Sequence, residues 1–193
     1  YIDTLDEEHQ RVYEDIALVG NQREVRAWRS IADDARETFL KRFWLERDPF
    51  KTSGGAMRRS EHYRRVWEAN RLYGEKQFPW DKRGDVYVRY GKPQWKSTSR
   101  DLNAIIPPAV RLVQQHSAQS LYGSRGVDFS FVGPVYPIKS QQSGLGTNPL
   151  NDDGLVGFDN FKPITTGADA SSVPWEVWIY ADITPKGLEI AFT

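Results

Sequence analysis

The sequence predicts an α+β fold, with three N-terminal helices packed on a small antiparallel sheet and a long irregular insertion. Three observations lead there. Apolar residues recur at three- and four-residue spacing through residues 2–76, the period of amphipathic helices. Period-two alternation is confined to short stretches, above all 85–90, 175–180 and 188–192. Charge follows the same division: residues 1–100 carry 21 basic and 17 acidic residues, and residues 101–193 carry 5 and 9.

The first helix is expected over residues 2–19. Ile2, Leu5, His9, Val12, Ile16 and Val19 share one face. Asp3, Asp6, Glu7 and Glu8 crowd its start, where the helix dipole favours negative charge, and Gly20-Asn21 ends it. A second helix is expected over 23–46, with Val25, Trp28, Ile31, Ala35, Phe39, Phe43 and Trp44 on its apolar side. Asp48-Pro49 stops it, because proline disfavours a helical conformation for the residue before it. A third is expected over 56–76, with Met57, Tyr63, Val66, Trp67 and Tyr73 as its apolar positions. Arg58, Arg59, Arg64, Arg65 and Arg71 make its outer face basic. Glu61 and Glu68 each lie four residues from an arginine, Arg65 and Arg64 respectively, as ion-pair partners.

Residues 78–84 read as a turn, and 85–90 as a strand ended by Gly91-Lys92-Pro93. Periodicity is weak from 94 to 173. Pro107-Pro108, followed by Val110, Leu112, Val113 and Leu121, predicts one short helix. Residues 127–132 alternate as a short strand. Residues 133–172 carry no period, although Val135, Tyr136, Leu155, Phe158 and Phe161 make them semi-apolar. Structureless stretches of that length are uncommon in compact domains unless functional or partnered. Residues 175–180 and 188–192, with Pro185 and Gly187 between them, predict a β-hairpin. The organisation expected is a helical arm, 1–22, and one domain, 23–193, with the insertion 94–173.

Composition bounds the function. With 39% apolar and 27% charged residues, the 193-residue chain is globular in character. The 7 Trp, 9 Tyr and 9 Phe are expected mainly in the core. A net charge of zero argues against nucleic acid as the partner. With no Cys, disulfides, thiolate nucleophiles and Cys-based zinc sites are excluded. No apolar run reaches the length of a membrane span. The chain begins at Tyr1, so a removed signal peptide or a lipid anchor, and peripheral membrane association, stay compatible with it.

Motifs of chemistry are missing. His9, His62 and His116 fall in different elements, and no H-E-x-x-H, G-x-S-x-G, Walker A or G-x-G-x-x-G pattern occurs. No catalytic residue, metal ligand or cofactor is assigned. Asp33, Asp34 and Glu37 read as a solvated helix face. Asn151, Asp152, Asp153 and Asp159 read as a polar turn rather than a calcium loop. Polyanion binding by Arg58, Arg59, Arg64 and Arg65 is disfavoured by the acids close by.

The spaced residues Phe43-Trp44, Arg47-Asp48-Pro49, Trp80, Arg83-Gly84, Val86-Tyr87-Val88 as a strand, Tyr90-Gly91 and Pro93, then Trp175, Trp178, Tyr180 and Phe192, occur in an order that resembles the GWxTD-domain family of bacterial proteins. The match spans residues 20–93 and 174–193. Pro79 stands where the family has Gly, and Trp80-Asp81-Lys82-Arg83 is one residue short of its W-x-T-D-R. Gly54-Gly55 stands where it usually has Asn-Glu. The resemblance implies an exported, envelope-associated bacterial protein and carries no activity. Structural roles are expected for Trp44 and Trp80 in the core, and for Arg47, Asp48 and Arg83 as ion pairs at the helix exit.

The resulting expectation is a non-enzymatic structural or protein-interaction subunit of a bacterial cell-envelope or surface assembly. Its partner, another protein or a second copy, would contact residues 94–173. The alternative is a carbohydrate-binding or cell-wall-hydrolysing module using exposed aromatics and Glu176 with Asp182. That requires two carboxyls within about 10 Å facing a cleft.

Overall fold

The computed structural model describes residues 2–49, 51–101, 105–123, 131–139, 161–162 and 173–193. Six α-helices and a three-stranded antiparallel sheet make a mixed α+β chain among these residues. Contacts divide it into two units, residues 1–92 and 93–193. No helix among the described residues is long and apolar enough to cross a membrane.

The first unit is helical, with five α-helices where three are expected from the sequence. α1 spans Glu7–Glu14 after a single 3-10 turn, Ile2–Thr4. Asp6 caps it by accepting from His9 N at 2.9 Å. It stops well before residue 19 because Asp15 turns extended and its carboxylate accepts from Ala17 N. Ile16, just beyond, is fully buried all the same.

The second predicted helix is two. α2, Gln22–Ser30, opens on a capping box between Asn21 and Glu24. α3, Asp33–Arg47, starts on Asp33 and Asp34 in its first turn. The break falls at Ile31 and Ala32, both extended. Ser30 Oγ folds back onto the Ala27 carbonyl there. Trp28, Ile16, Leu40, Phe43 and Trp44 form one buried cluster across the break. α3 ends as expected, at extended Asp48 before Pro49.

α4 spans Ala56–Tyr73 and buries His62, Val66, Ala69 and Tyr73 at helical spacing. Its entry needs Gly55, at φ 85°, where a Cβ would stand 2.6 Å from the Leu45 backbone nitrogen. The ion pairs Arg64–Glu68 at 2.6 Å and Arg65–Glu61 at 2.7 Å lie on it as the spacing predicts.

Residues 85–90 are not a strand but most of a helix, α5, Lys82–Tyr90. The Asp81 side chain caps it by accepting from Arg83 N at 2.9 Å. Gly84, Tyr87 and Val88 are buried, a three-and-four spacing that Val86-x-Val88 alone cannot distinguish from alternation. α5 packs on α4: Tyr87 OH donates to Glu68 Oε2 at 2.6 Å, and the Tyr73 and Tyr87 rings lie 6.0 Å apart.

The second unit holds the sheet. β4, Glu176–Tyr180, and β5, Leu188–Phe192, form the predicted hairpin, Tyr180 opposite Leu188. The third strand is β1, Trp95–Thr98, not 85–90, and it pairs antiparallel with β4, Trp95 opposite Ile179. β4 is therefore central, and Val177, Trp178, Ile179 and Tyr180 are all buried. α6, Pro108–Tyr122, packs on this sheet through Val110 and Val113, which cluster with Trp175, Val177, Ile179 and Ile138. On the sheet's other side the Trp178 and Phe192 rings meet edge to face at 4.9 Å. A short ladder joins β2, Ile138–Lys139, to β3, Phe161–Lys162. Of the strand expected at 127–132, only Phe131 and Val132 are described, and neither is in a strand.

Candidate functional site

The residues singled out in the first unit build two structural corners. At the end of α3, Phe43 and Trp44 are buried with rings edge to face at 4.8 Å. The Arg47 guanidinium lies 3.7 Å over the Phe43 ring and donates to Glu24 Oε2 at 2.6 Å. Glu24 also accepts from Asn21 N, so the pair ties the exit of α3 to the entry of α2. Burial raises the Glu24 carboxyl, but Arg47 and the Asn21 N–H outweigh it and hold it below the ordinary carboxylate value. Asp48 is buried and accepts from Ser53 Oγ, closing the loop that starts at exposed Pro49.

The second corner opens α5. Trp80 is buried, and its indole N–H donates to Asp85 Oδ1 at 3.0 Å. Arg83 grips Asp81 with Nε and Nη2, the latter at 2.6 Å, and lies over the Tyr73 ring. These bonds from Arg83 hold the Asp81 carboxyl below its ordinary value. Gly84 presses against the Trp80 ring, leaving no room for a Cβ. Gly91, at φ 80°, closes α5 with its N–H on the Tyr87 carbonyl. Pro93 is buried at the start of the second unit.

Neither corner assembles reactive groups. Among the described residues, no three His, Asp or Glu side chains gather to hold a metal. His9 Nδ1 pairs with Asp6 at 2.7 Å, His62 Nε2 with the Tyr13 carbonyl at 3.1 Å, and His116 Nδ1 with the Lys186 carbonyl at 3.2 Å. Glu176 opens β4 and Asp182 follows its end. Glu176 accepts from the Trp178 indole at 2.6 Å, and Asp182 from Gln94 at 3.3 Å.

The second unit presents apolar side chains outward. Ile105 is 92% exposed, Leu112 56% and Tyr136 57%. Ile106, Pro108 and Leu112, with Arg111 and Gln115, line a pocket of about 360 Å³ beside the start of α6. Leu121 stands exposed near the other end of the helix. Of the interaction residues expected from the sequence, Tyr136 is on the surface. Val135 is core, fully buried with Ala118, Tyr122 and Phe131. Phe161 opens β3. Leu155 and Phe158 lie outside the described residues.

Ile105, Leu112 and Leu121 are the surface residues that sequence reasoning missed. A signal was present: α6 carries a single formally charged residue, Arg111, so its solvent side lacks the charge that covers α4.

Comparison of the chain with protein-family models, with curated proteins and with solved structures finds no match.

Proposed function

We propose that the protein is a non-catalytic interaction subunit of a bacterial envelope assembly, and that it meets its protein partner through the α6 face of the second unit. One observation carries this reading: exposed Leu112 lines an apolar pocket with Ile106 and Pro108 on a helix with almost no charge, and Ile105, 92% exposed, lies just before that helix in the chain. Isolated exposed apolar residues need no explanation. A patch of them beside a pocket is the ordinary mark of a surface made to be covered. Polar side chains of the motif corners support it from the other direction, since Arg47, Asp48, Trp80 and Arg83 are engaged in holding helices. The envelope location rests on the resemblance of the motif residues to GWxTD-domain proteins. Photocrosslinking from position 112 in cells that make the native protein tests the interface.

A further inference from the structure

Five of the seven tryptophans are buried and Trp95 is half-buried; Trp67 alone is exposed, at 45%. An exposed ring by itself needs no explanation. Trp67, however, lines a pocket of about 470 Å³ in the first unit, within the range of small-molecule sites. Ser60, Tyr63, Arg64 and Trp67 come from α4, at the three- and four-residue spacing of one helix face. Tyr13 of α1 and Ile2 of the first 3-10 turn complete the lining. The Tyr13 and Tyr63 rings meet edge to face at 5.7 Å, so packing holds two of the three rings in place.

Charge decides what such a pocket accepts. Among the described residues its lining holds one charged side chain, Arg64, whose guanidinium is paired with Glu61 at 2.9 Å and Glu68 at 2.6 Å. An anion therefore finds no unpaired cation in the lining. No carboxylate lines it to meet a cation. Ring faces that attract cations are already in use: the Arg59 guanidinium lies 5.3 Å from the Tyr63 centroid, and that of Arg71 5.2 Å from Trp67. What remains is a neutral ligand. Ser60 and Tyr63 add hydroxyls, which both donate and accept. The Tyr63 oxygen accepts from Arg59 Nε at 2.7 Å, which leaves its O–H as a donor.

We infer that this pocket binds the pyranose ring of a neutral sugar, with the sugar's C–H face on Trp67. A pyranose is apolar on its C–H face and hydroxylated around its edge, which suits an aromatic lining whose Trp67 and Ser60 stay in contact with water. A flat aromatic ligand is apolar on both faces and would leave one of them wet. With no carboxylate in the lining, the site binds sugar without hydrolysing it. It shares no residue with the proposed interface and lies in the other unit, so the two fail separately.

Saturation-transfer NMR on the full chain tests it, with the methyl glycosides of glucose, galactose, mannose and N-acetylglucosamine as probes, and indole and tetramethylammonium for comparison. Saturable binding of at least one glycoside is expected, with transfer strongest to its ring C–H protons. Added salt should leave the affinity unchanged, since no ligand charge is paired. Trp67→Ala should weaken binding by about tenfold, and Trp67→Tyr, which keeps a ring, should retain most of it. Ser60→Glu, at a second exposed lining position, should weaken it as Trp67→Ala does. The inference is overturned by no saturable binding of any glycoside, or by indole or tetramethylammonium binding more tightly than every glycoside. An affinity that falls steeply with salt, or one unchanged in Trp67→Ala or Ser60→Glu, overturns it as well.

Discussion

The Val135 N–H donates to Glu189 Oε1 at 2.7 Å, joining a loop residue to a strand residue 54 positions later. The same carboxylate leaves its second oxygen enclosed and without a partner. Burial pushes the Glu189 carboxyl up to about 7, against the lowering effect of the Val135 and Tyr136 backbone bonds. A folded value above the unfolded one means that the fold favours the protonated acid. Its stabilisation is complete below pH 4.5 and is lost as pH rises through about 7. The swing is on the order of 3 kcal/mol. Amide exchange in β4 and β5, corrected for intrinsic rates, should show the second unit weakening from pH 4.5 to 7. In Glu189→Gln the slope should flatten.

His62 works in the opposite sense. Burial holds its imidazole down at about 4, from an ordinary 6.5, with the Arg65 charge adding to the effect. The fold favours the neutral ring, so this stabilisation is present above pH 6.5 and is lost as pH falls through about 4. Its size is again on the order of 3 kcal/mol. Exchange at Val66 and Ala69 in α4 should therefore slow as pH rises over the range in which β4 speeds up. Stability falling with rising pH in the first unit would contradict the His62 assignment, and stability rising in the second would contradict that of Glu189.

Gly84→Ala should destabilise the first unit by about 1–3 kcal/mol, because the new methyl enters the Trp80 ring. Trp80 sits beside the change, so its fluorescence should shift at the same time. A variant with the parent's denaturation midpoint and spectrum would remove the Trp80–Gly84 contact from the account.

The two arginine corners should rank differently. Arg83 and Asp81 are 38% and 36% exposed at their side chains, and such pairs are worth about 0–1 kcal/mol. Arg47 and Glu24 are 28% and 23% exposed, and Arg47 also covers Phe43. Arg83→Ala should cost less than about 1 kcal/mol, and Arg47→Ala about 2 kcal/mol from the lost stack and pair together. Equal losses in urea denaturation would show that the stack contributes little.

Local signals carried much of this fold. The hairpin was legible because both strands alternate and Pro185 and Gly187 lie between them. α6 was legible from Pro108 and the apolar residues after it. The Arg64–Glu68 and Arg65–Glu61 pairs follow from helical spacing alone. The failures have tertiary causes. Residues 85–90 alternate over too few positions to tell a strand from a helix. Asp81 as the cap, and Gly84 beneath Trp80, decide for the helix, and the second is a packing fact. The break at Ile31 hides inside an unbroken apolar period, which Trp28 and Phe39 maintain from two different helices. Val135 looked available for a partner because nothing near it in sequence reveals Glu189. The surface patch was missed for a related reason. Leu112 adjoins Val113 in sequence, and only the helix orientation separates exposed from buried.

The most direct test of the proposed interface is a photoreactive residue in place of Leu112, activated in cells that make the native protein. Arg71 on α4, exposed and in the other unit, is the control position. A protein adduct is expected from position 112 and not from 71, and Ile105→Asp should abolish it without changing the thermal midpoint. No adduct from position 112, or an equal one from position 71, would contradict the account.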